Sequence, residues 1–209
     1  MPNINTLLFA GGSIHDWKGC GDALEECLKD CEALELTKVE DDLSVLKAPG
    51  LDPYQLLVFY YTVGEITEAQ KNGLLNWVAS GKGYVGVHSA ADSFRECPEY
   101  RAMVGGWFVT HPHFRPYQVS VLDAEHPITE GLDEFMVEDE QYITDYDPRV
   151  HVLATALYQG IARPVAWTKT WGKGKVFYLA LGHNPDACRH QTFKVMLTRG
   201  CLWAAPSGE

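Results

Sequence analysis

The sequence predicts an α/β fold of three layers, αβα, with a mostly parallel sheet between two layers of helices and an antiparallel extension on one side of that sheet. Three observations carry the expectation. Apolar, β-rich runs alternate with helical ones through the first half of the chain; the run Leu56-Leu57-Val58-Phe59-Tyr60-Tyr61 has no polar alternation; and the second half is rich in strands with few helices between them. A strand apolar on both sides has to be covered on both sides, as at the centre of a parallel sheet under crossover helices.

Taken in order, residues 6–10 read as the first strand and residues 22–34 as the helix after it. Residues 56–61 form the central strand, residues 67–80 its helix, and residues 84–87 a further strand that runs into a Gly- and Trp-containing stretch. Such alternation calls for parallel strands joined by crossover helices. Residues 117–122, 150–157, 164–171 and 175–181 are all strand-like, and the glycines of Trp171-Gly172-Lys173-Gly174-Lys175 suit a hairpin turn between the last two. An amphipathic helix over residues 190–203 covers one face before the polar tail 205–209. No internal repeat or linker interrupts residues 1–209, which read as a single domain. With 209 residues, 46% of them hydrophobic, the chain can bury one substantial core without staples.

Composition restricts the partners. Lys and Arg number 17 against 28 Asp and Glu, a formal charge of −11 that repels phosphate backbones and anionic membrane surfaces, so nucleic acid and membranes are not expected partners. The first ten residues lack the pattern of a secretory signal, and no run approaches the length of a membrane span, which together predict a cytoplasmic protein. Six cysteines, at 20, 27, 31, 97, 188 and 201, form no C-x-x-C pair and read as reduced thiols. The exposed side of the antiparallel extension offers a surface through which two copies could pair as a homodimer.

In an open α/β sheet, ligands bind beyond the carboxyl ends of the strands. Residues just after the predicted strands are therefore the informative ones: Gly11-Gly12-Ser13-Ile14-His15-Asp16, Thr62-Val63-Gly64-Glu65, His88-Ser89-Ala90-Ala91-Asp92 and Gly182-His183-Asn184. Three of the eight histidines, His15, His88 and His183, fall at such ends though far apart in sequence. Around His88, the small residues Gly86 and Ala90 stand two positions to either side, the layout of a nucleophile elbow that lifts its central side chain into the crevice. An imidazole there suits proton transfer or metal ligation better than acyl chemistry. Ser89 is the competing nucleophile, but Val87 and Ala91 flank it less symmetrically.

The segments Gly86 to Phe94, Gly105 to Pro112, His126 to Leu132, Glu138 to Tyr142 and Leu181 to Asn184 together resemble the ThuA-like (trehalose utilization) family, a histidine-bearing relative of the class I glutamine amidotransferases. The resemblance implies a flavodoxin-like sheet of the class I glutamine amidotransferase type and a role in carbohydrate utilization, with oxidised (3-keto) sugars among the candidate substrates. Amidotransferases of this class carry a cysteine at the elbow and a late His-x-Glu. Here His88 holds the elbow, and Pro185 stands two residues after His183 where the glutamate would be, so glutaminase activity is not expected.

The expected catalytic set is His88, His111, Glu140 and His183, with His15, Asp92, Trp107 and Tyr142 as substrate-binding residues. Glu140 lies in an acidic run, residues 134–140, and on that ground alone reads as a solvated acid; the family pattern favours a site role. His88, His111 and His183 could also hold a divalent metal such as zinc, although no H-x-x-x-H or H-E-x-x-H motif is present. The rival is plain acid-base work by Glu140 and a histidine on a sugar or keto-sugar, as a hydrolase, lyase or isomerase. Trp17, Trp107, Phe108, Phe114 and Tyr142 could stack on a pyranose ring, whereas Trp77, Trp167 and Trp203 read as core. No G-x-G-x-x-G or Walker pattern supports a nucleotide cofactor, and net charge favours a neutral carbohydrate ligand unless Arg95, Arg101 and Arg115 make a local basic patch. The alternative function is a non-catalytic sugar- or metal-binding module on the same scaffold.

Overall fold

The structure is a computed structural model that describes residues 3–206, so residues 207–209 of the expected polar tail lie outside the described residues. In chain order the elements are β1 (Ile4–Gly12), α1 (Trp17–Leu28), β2 (Leu34–Glu40), β3 (Leu56–Thr62), α2 (Glu68–Ala79), β4 (Gly83–Val87), α3 (Pro98–Val104) and β5 (Gly106–Thr110), then β6 (Arg115–Val121), β7 (Phe135–Asp139), β8 (Ile143–Tyr146), β9 (His151–Tyr158), β10 (Ile161–Trp171), β11 (Gly174–Leu179), α4 (Pro185–Cys188) and α5 (Gln191–Ala204). Nine strands form one sheet in the order β2-β1-β3-β4-β11-β10-β9-β6-β7, and β5 pairs with β8 apart from it.

The first five strands of that order are parallel and the remaining pairings antiparallel, which is the expected parallel sheet with its antiparallel extension. Helix α1 leads from β1 outward to β2, while α2 leads from β3 the other way to β4. Right-handed crossovers in opposite directions place these helices on opposite faces. Accordingly α1 packs with α5 on one side and α2 with α3 on the other. Every residue of β3 is buried between the two layers.

Helix α1 begins and ends earlier than the sequence predicts. Asp16 caps it, its carboxylate accepting from the Gly19 N–H, and the buried stripe Cys20, Ala23, Leu24, Cys27 and Leu28 follows the helical spacing. The chain then leaves the helix, and Leu34 to Glu40 alternates as the edge strand β2 rather than extending α1. Helix α2 falls where expected, started by a capping box between Thr67 and Gln70. The hairpin between β10 and β11 also forms as expected, with Gly172 at φ +59°. The cysteines are free thiols, all buried except Cys31, which is half-buried. Among the described residues no helix is long and apolar enough to cross a membrane.

Strand direction matters for the site. β11 runs parallel to β4, and β10, β9, β6 and β7 alternate from there, so β7 again points the same way as β1, β3, β4 and β11. Its carboxyl end therefore lies on the same side of the sheet as theirs. Although β7 is the far edge strand, Asp139 at its end accepts hydrogen bonds from the Gly182 and His183 N–H groups just after β11, so the extension curls back over the parallel strands.

Candidate functional site

His88 occupies the elbow. The chain turns sharply from β4 into the one-turn 3-10 segment His88–Asp92, and His88 itself adopts φ +44°, a conformation that costs about 1–3 kcal/mol for a residue with a side chain and persists only where the surroundings enforce it. A Cβ at Gly86 would lie 3.2 Å from the Ala90 Cβ and 3.0 Å from the Tyr84 ring, which explains the small residues on either side. Ser89 points into the interior with its hydroxyl buried and unpartnered and offers no group to a crevice, which leaves His88 as the apex.

Four side chains converge here. His15 Nε2, His88 Nε2 and His183 Nδ1 lie 4.0, 3.6 and 3.1 Å from the same Glu140 oxygen, Oε2. One candidate ligand atom from each of these four residues lies within 4.8 Å of all the others. The loop after β5 adds His111, whose Nδ1 is 3.0 Å from Glu140 Oε1 and also hydrogen-bonds the Pro112 carbonyl. Each side chain comes from the carboxyl end of a different strand: β1, β4, β7, β11 and β5 in the order named His15, His88, Glu140, His183, His111.

The two inner imidazoles are held in the same manner. His15 Nδ1 is tied to the Thr62 hydroxyl at 2.8 Å and His88 Nδ1 to the Ala180 carbonyl at 2.7 Å, so each presents Nε2 to Glu140. The His88 Nε2 atom is buried and has no hydrogen-bond partner in the structure. Side-chain exposure rises from 0% at His88 and 4% at His15 through 11% at Glu140 to 30% at His183 and 41% at His111, so the site opens to solvent past the last two. Phe114, an exposed ring 5.7 Å from that of His183, stands at this mouth.

Electrostatics separates the groups. Burial lowers the pKa of His15 below its ordinary value, which keeps it neutral. The hydrogen bond to Glu140 raises that of His183 against the opposing effect of burial. Burial alone would raise the Glu140 carboxyl, but its contacts with His15, His183 and His88 outweigh burial and hold it well below the usual carboxylate range. The site thus holds an ionised carboxylate among imidazoles.

Sequence context does not single out Asp139, yet this residue organises the centre. Fully buried, it accepts from the backbone N–H groups of Gly182 (2.7 Å), Glu140 (2.8 Å) and His183 (3.0 Å), locking two functional residues together across the fold. The alternation of β7, with Met136 and Glu138 outside and Val137 and Asp139 inside, is the signal that marks it.

Of the other expected substrate residues, Tyr142 packs on the centre as a buried side chain, while Asp92 and Trp107 line a neighbouring pocket. Tyr142 is 3% exposed, its ring packed against His88 at 4.0 Å and Phe108 at 4.5 Å, so neither face is free for a sugar. Asp92 is buried and committed to Arg95 by two hydrogen bonds of 2.8 and 2.7 Å. Trp107 lies under the Arg101 guanidinium, 5.5 Å away, and lines a separate neighbouring pocket with Asp92. The expected metal set of His88, His111 and His183 differs from the tightest cluster, which includes His15 and Glu140 and leaves His111 at the rim. Trp77 and Trp167 are core residues as expected, whereas Trp203 is only partly buried.

Solved structures with the same fold support this architecture. A ThuA-like protein from Parabacteroides merdae superposes with a TM-score of 0.85 at 22% identity, over 99% of this chain and 92% of that one. A cytoplasmic protein from Salmonella typhimurium LT2 follows at 0.71 and 14%, over 96% and 99% of the two chains. A GMP synthase component from Thermoplasma acidophilum reaches 0.58 at 15%, over 97% and 96%, which relates the sheet to the amidotransferase type. Among curated proteins none matches the sequence. The family profile described as ThuA, trehalose utilisation, matches residues 5–204, and the chain belongs to that family.

Proposed function

We propose that this protein is a cytoplasmic enzyme of carbohydrate utilisation that acts on a sugar or keto-sugar as a hydrolase, lyase or isomerase, with a divalent metal, zinc in the first instance, held by His15, His88, His183 and Glu140. One observation carries the reading. Two buried imidazoles each have Nδ1 anchored, by Thr62 and by Ala180, and both direct Nε2 at one carboxylate, the arrangement in which hydrogen-bonded imidazoles serve as metal ligands. The unpartnered His88 Nε2 fits the same reading, because an unsatisfied buried polar atom costs about 1–3 kcal/mol unless a ligand takes it up.

Nitrogen and carboxylate donors suit zinc and its neighbours in the transition series. When bound, such an ion polarises a carbonyl or lowers the pKa of a water molecule. The protein's own groups supply the rest. Asp139 fixes the backbone of Glu140 and His183. His111, the most exposed imidazole of the five contacting side chains, is placed to exchange protons between a bound sugar and solvent.

Elemental analysis of tag-free protein tests the metal. Stoichiometric divalent metal that disappears in a His88→Ala, His183→Ala double variant is expected. Absence of metal from the wild type, after incubation with zinc and dialysis, would leave the second reading: acid-base catalysis by the His183 and Glu140 pair, which stands at 3.1 Å with the imidazole pKa already raised. Trehalose and its keto derivatives are the substrates to screen first, and saturable binding without conversion would identify a binding module instead. Glutamine should not be hydrolysed, since His88 replaces the elbow thiol and Pro185 opens α4. Ammonia release from glutamine, lost on mutating His88, would refute that expectation.

A further inference from the structure

We propose that the pocket beside the histidine and glutamate centre is a subsite for an anionic group, so that the carbohydrate handled there carries a carboxylate or a phosphate. The inference rests on the reading of that centre as a carbohydrate site and goes on to name its substrate class.

The pocket has a volume of about 210 Å³ and lies between the 3-10 turn His88–Asp92 and β5, lined by Asp92, Arg95, Arg101, Trp107 and Phe108 among others. Its two arginines differ. Arg95 is neutralised by Asp92 through the paired hydrogen bonds described above. Arg101 forms no ion pair, and its side chain donates no hydrogen bond, among the described residues, although the protein as a whole carries a charge of −11. Elsewhere Arg149 and Arg189 are paired with Asp147 and Glu26, whereas Arg115, Arg163 and Arg199 also form no ion pair among the described residues but do not line this pocket. A guanidinium held over the Trp107 ring, with its donors unused and turned to a pocket, is matched in geometry to the two oxygens of a carboxylate or phosphate. The half-buried Trp107 and Phe108 add apolar surface to the walls; Arg101 already covers Trp107 and Phe108 packs on Tyr142 and His111, so the guanidinium rather than a stacking face defines the subsite.

Aromatic packing links this separate pocket to the centre. Phe108 lines the pocket and packs both on Tyr142, which covers His88, and on His111 at 5.8 Å. Asp92 closes the turn that His88 opens. An anion anchored on Arg101 thus places the rest of its molecule beside the ring of Phe108, whose packing partners are Tyr142 and His111. Of the residues Arg95, Arg101 and Arg115 that the sequence offers as a local basic patch, this gives a use to Arg101.

Calorimetric titration of the protein with D-glucose, D-glucuronate and D-glucose 6-phosphate at matched ionic strength tests the proposal. At least one of the two acids is expected to bind ten-fold or more tightly than glucose. Arg101→Gln should abolish that preference and Arg101→Lys should keep part of it, with the melting temperature and metal content of both variants unchanged. The tighter acid tells carboxylate from phosphate. Equal affinity for the neutral and acidic sugars, no binding of either acid at millimolar concentration, or a preference that survives Arg101→Gln would each overturn the subsite. A preference that depends on Arg101 in a wild type that binds no metal would sink the metal reading of the centre and leave the subsite standing.

Discussion

Glutamine in place of Glu140 is expected to leave the protein folded while weakening its metal affinity by at least about 10- to 100-fold and cutting turnover by about 10²- to 10⁴-fold. The amide matches the carboxylate in shape but carries no charge, and four imidazoles meet at this one group, at 3.0 to 4.0 Å. Metal titration followed by calorimetry, with turnover measured on any substrate that the screen yields, reads both effects; unchanged metal affinity in the variant would remove Glu140 from the ligand set.

The same substitution has a pH signature in chelator-treated protein. Because the folded Glu140 carboxyl lies below its ordinary value, the stability it contributes is complete above about pH 4.3, the unfolded value, and is lost as pH falls through the lower folded value. His183 has a raised pKa, so its contribution is complete below about pH 6.5 and is lost as pH rises through the folded value. The two conditions overlap from about pH 4.3 to 6.5. His15, held neutral by burial, works against stability as pH falls below its unfolded value, so the melting temperature of wild type alone mixes opposite signs. The difference between wild type and Glu140→Gln reports the contacts of this carboxylate with His183, His15 and His88: it should be greatest in that window and shrink as pH rises through the raised folded value of His183. A difference that is flat across pH would show that the pair is not ionised as described.

Much of this architecture is legible in the sequence because the relevant signals are local. The unbroken apolar run of β3 marks the centre of a parallel sheet, and the small residues around His88 mark the elbow. Strand ends then bring His15, His88 and His183 together by topology alone, without any knowledge of distances. The start of strand β2 is hidden because Cys31 and Leu34 continue the helical stripe of α1, and only the change from a 3.6- to a 2-residue period separates them. Glu140 and Asp139 lie in an acidic run whose other members, Glu134 and Glu138, are solvated; the two-residue alternation of β7 turns Asp139 inward, but its meeting with the end of β11 follows from the curl of the extension, a long-range property that spacing does not encode. Tyr142 illustrates the converse: an aromatic close in sequence to the carboxylate of the centre suggests a stacking platform, but its two neighbours in the fold, His88 and Phe108, already pack on it.

The size of the effect expected at Asp139 follows from that curl. Its carboxylate is the receptor for three backbone donors drawn from two strand ends that the sheet order sets far apart, β11 and the edge strand β7. A buried backbone donor left without a partner costs about 1–3 kcal/mol. Asp139→Leu orphans all three N–H groups in a fully buried position, a loss that rivals the total stability of about 5–15 kcal/mol of an ordinary domain, and should yield protein that is unfolded or aggregates. Asp139→Asn keeps one accepting oxygen and turns an amide N–H₂ toward a donor, which orphans at least one group. It should therefore fold, with a melting temperature lower by about 2–4 °C for each kcal/mol lost. The decisive measurement is metal affinity in this asparagine variant at a temperature where it is fully native. If Asp139 positions Glu140 and His183, affinity falls although no proposed ligand has been touched, and a carboxylate restored one methylene longer, Asp139→Glu, does not recover it because its oxygens are carried away from the three N–H groups that Asp139 bridges. If the asparagine variant is merely less stable and binds metal as tightly as wild type, Asp139 only anchors β7, and the ligands owe their placement to their own strands.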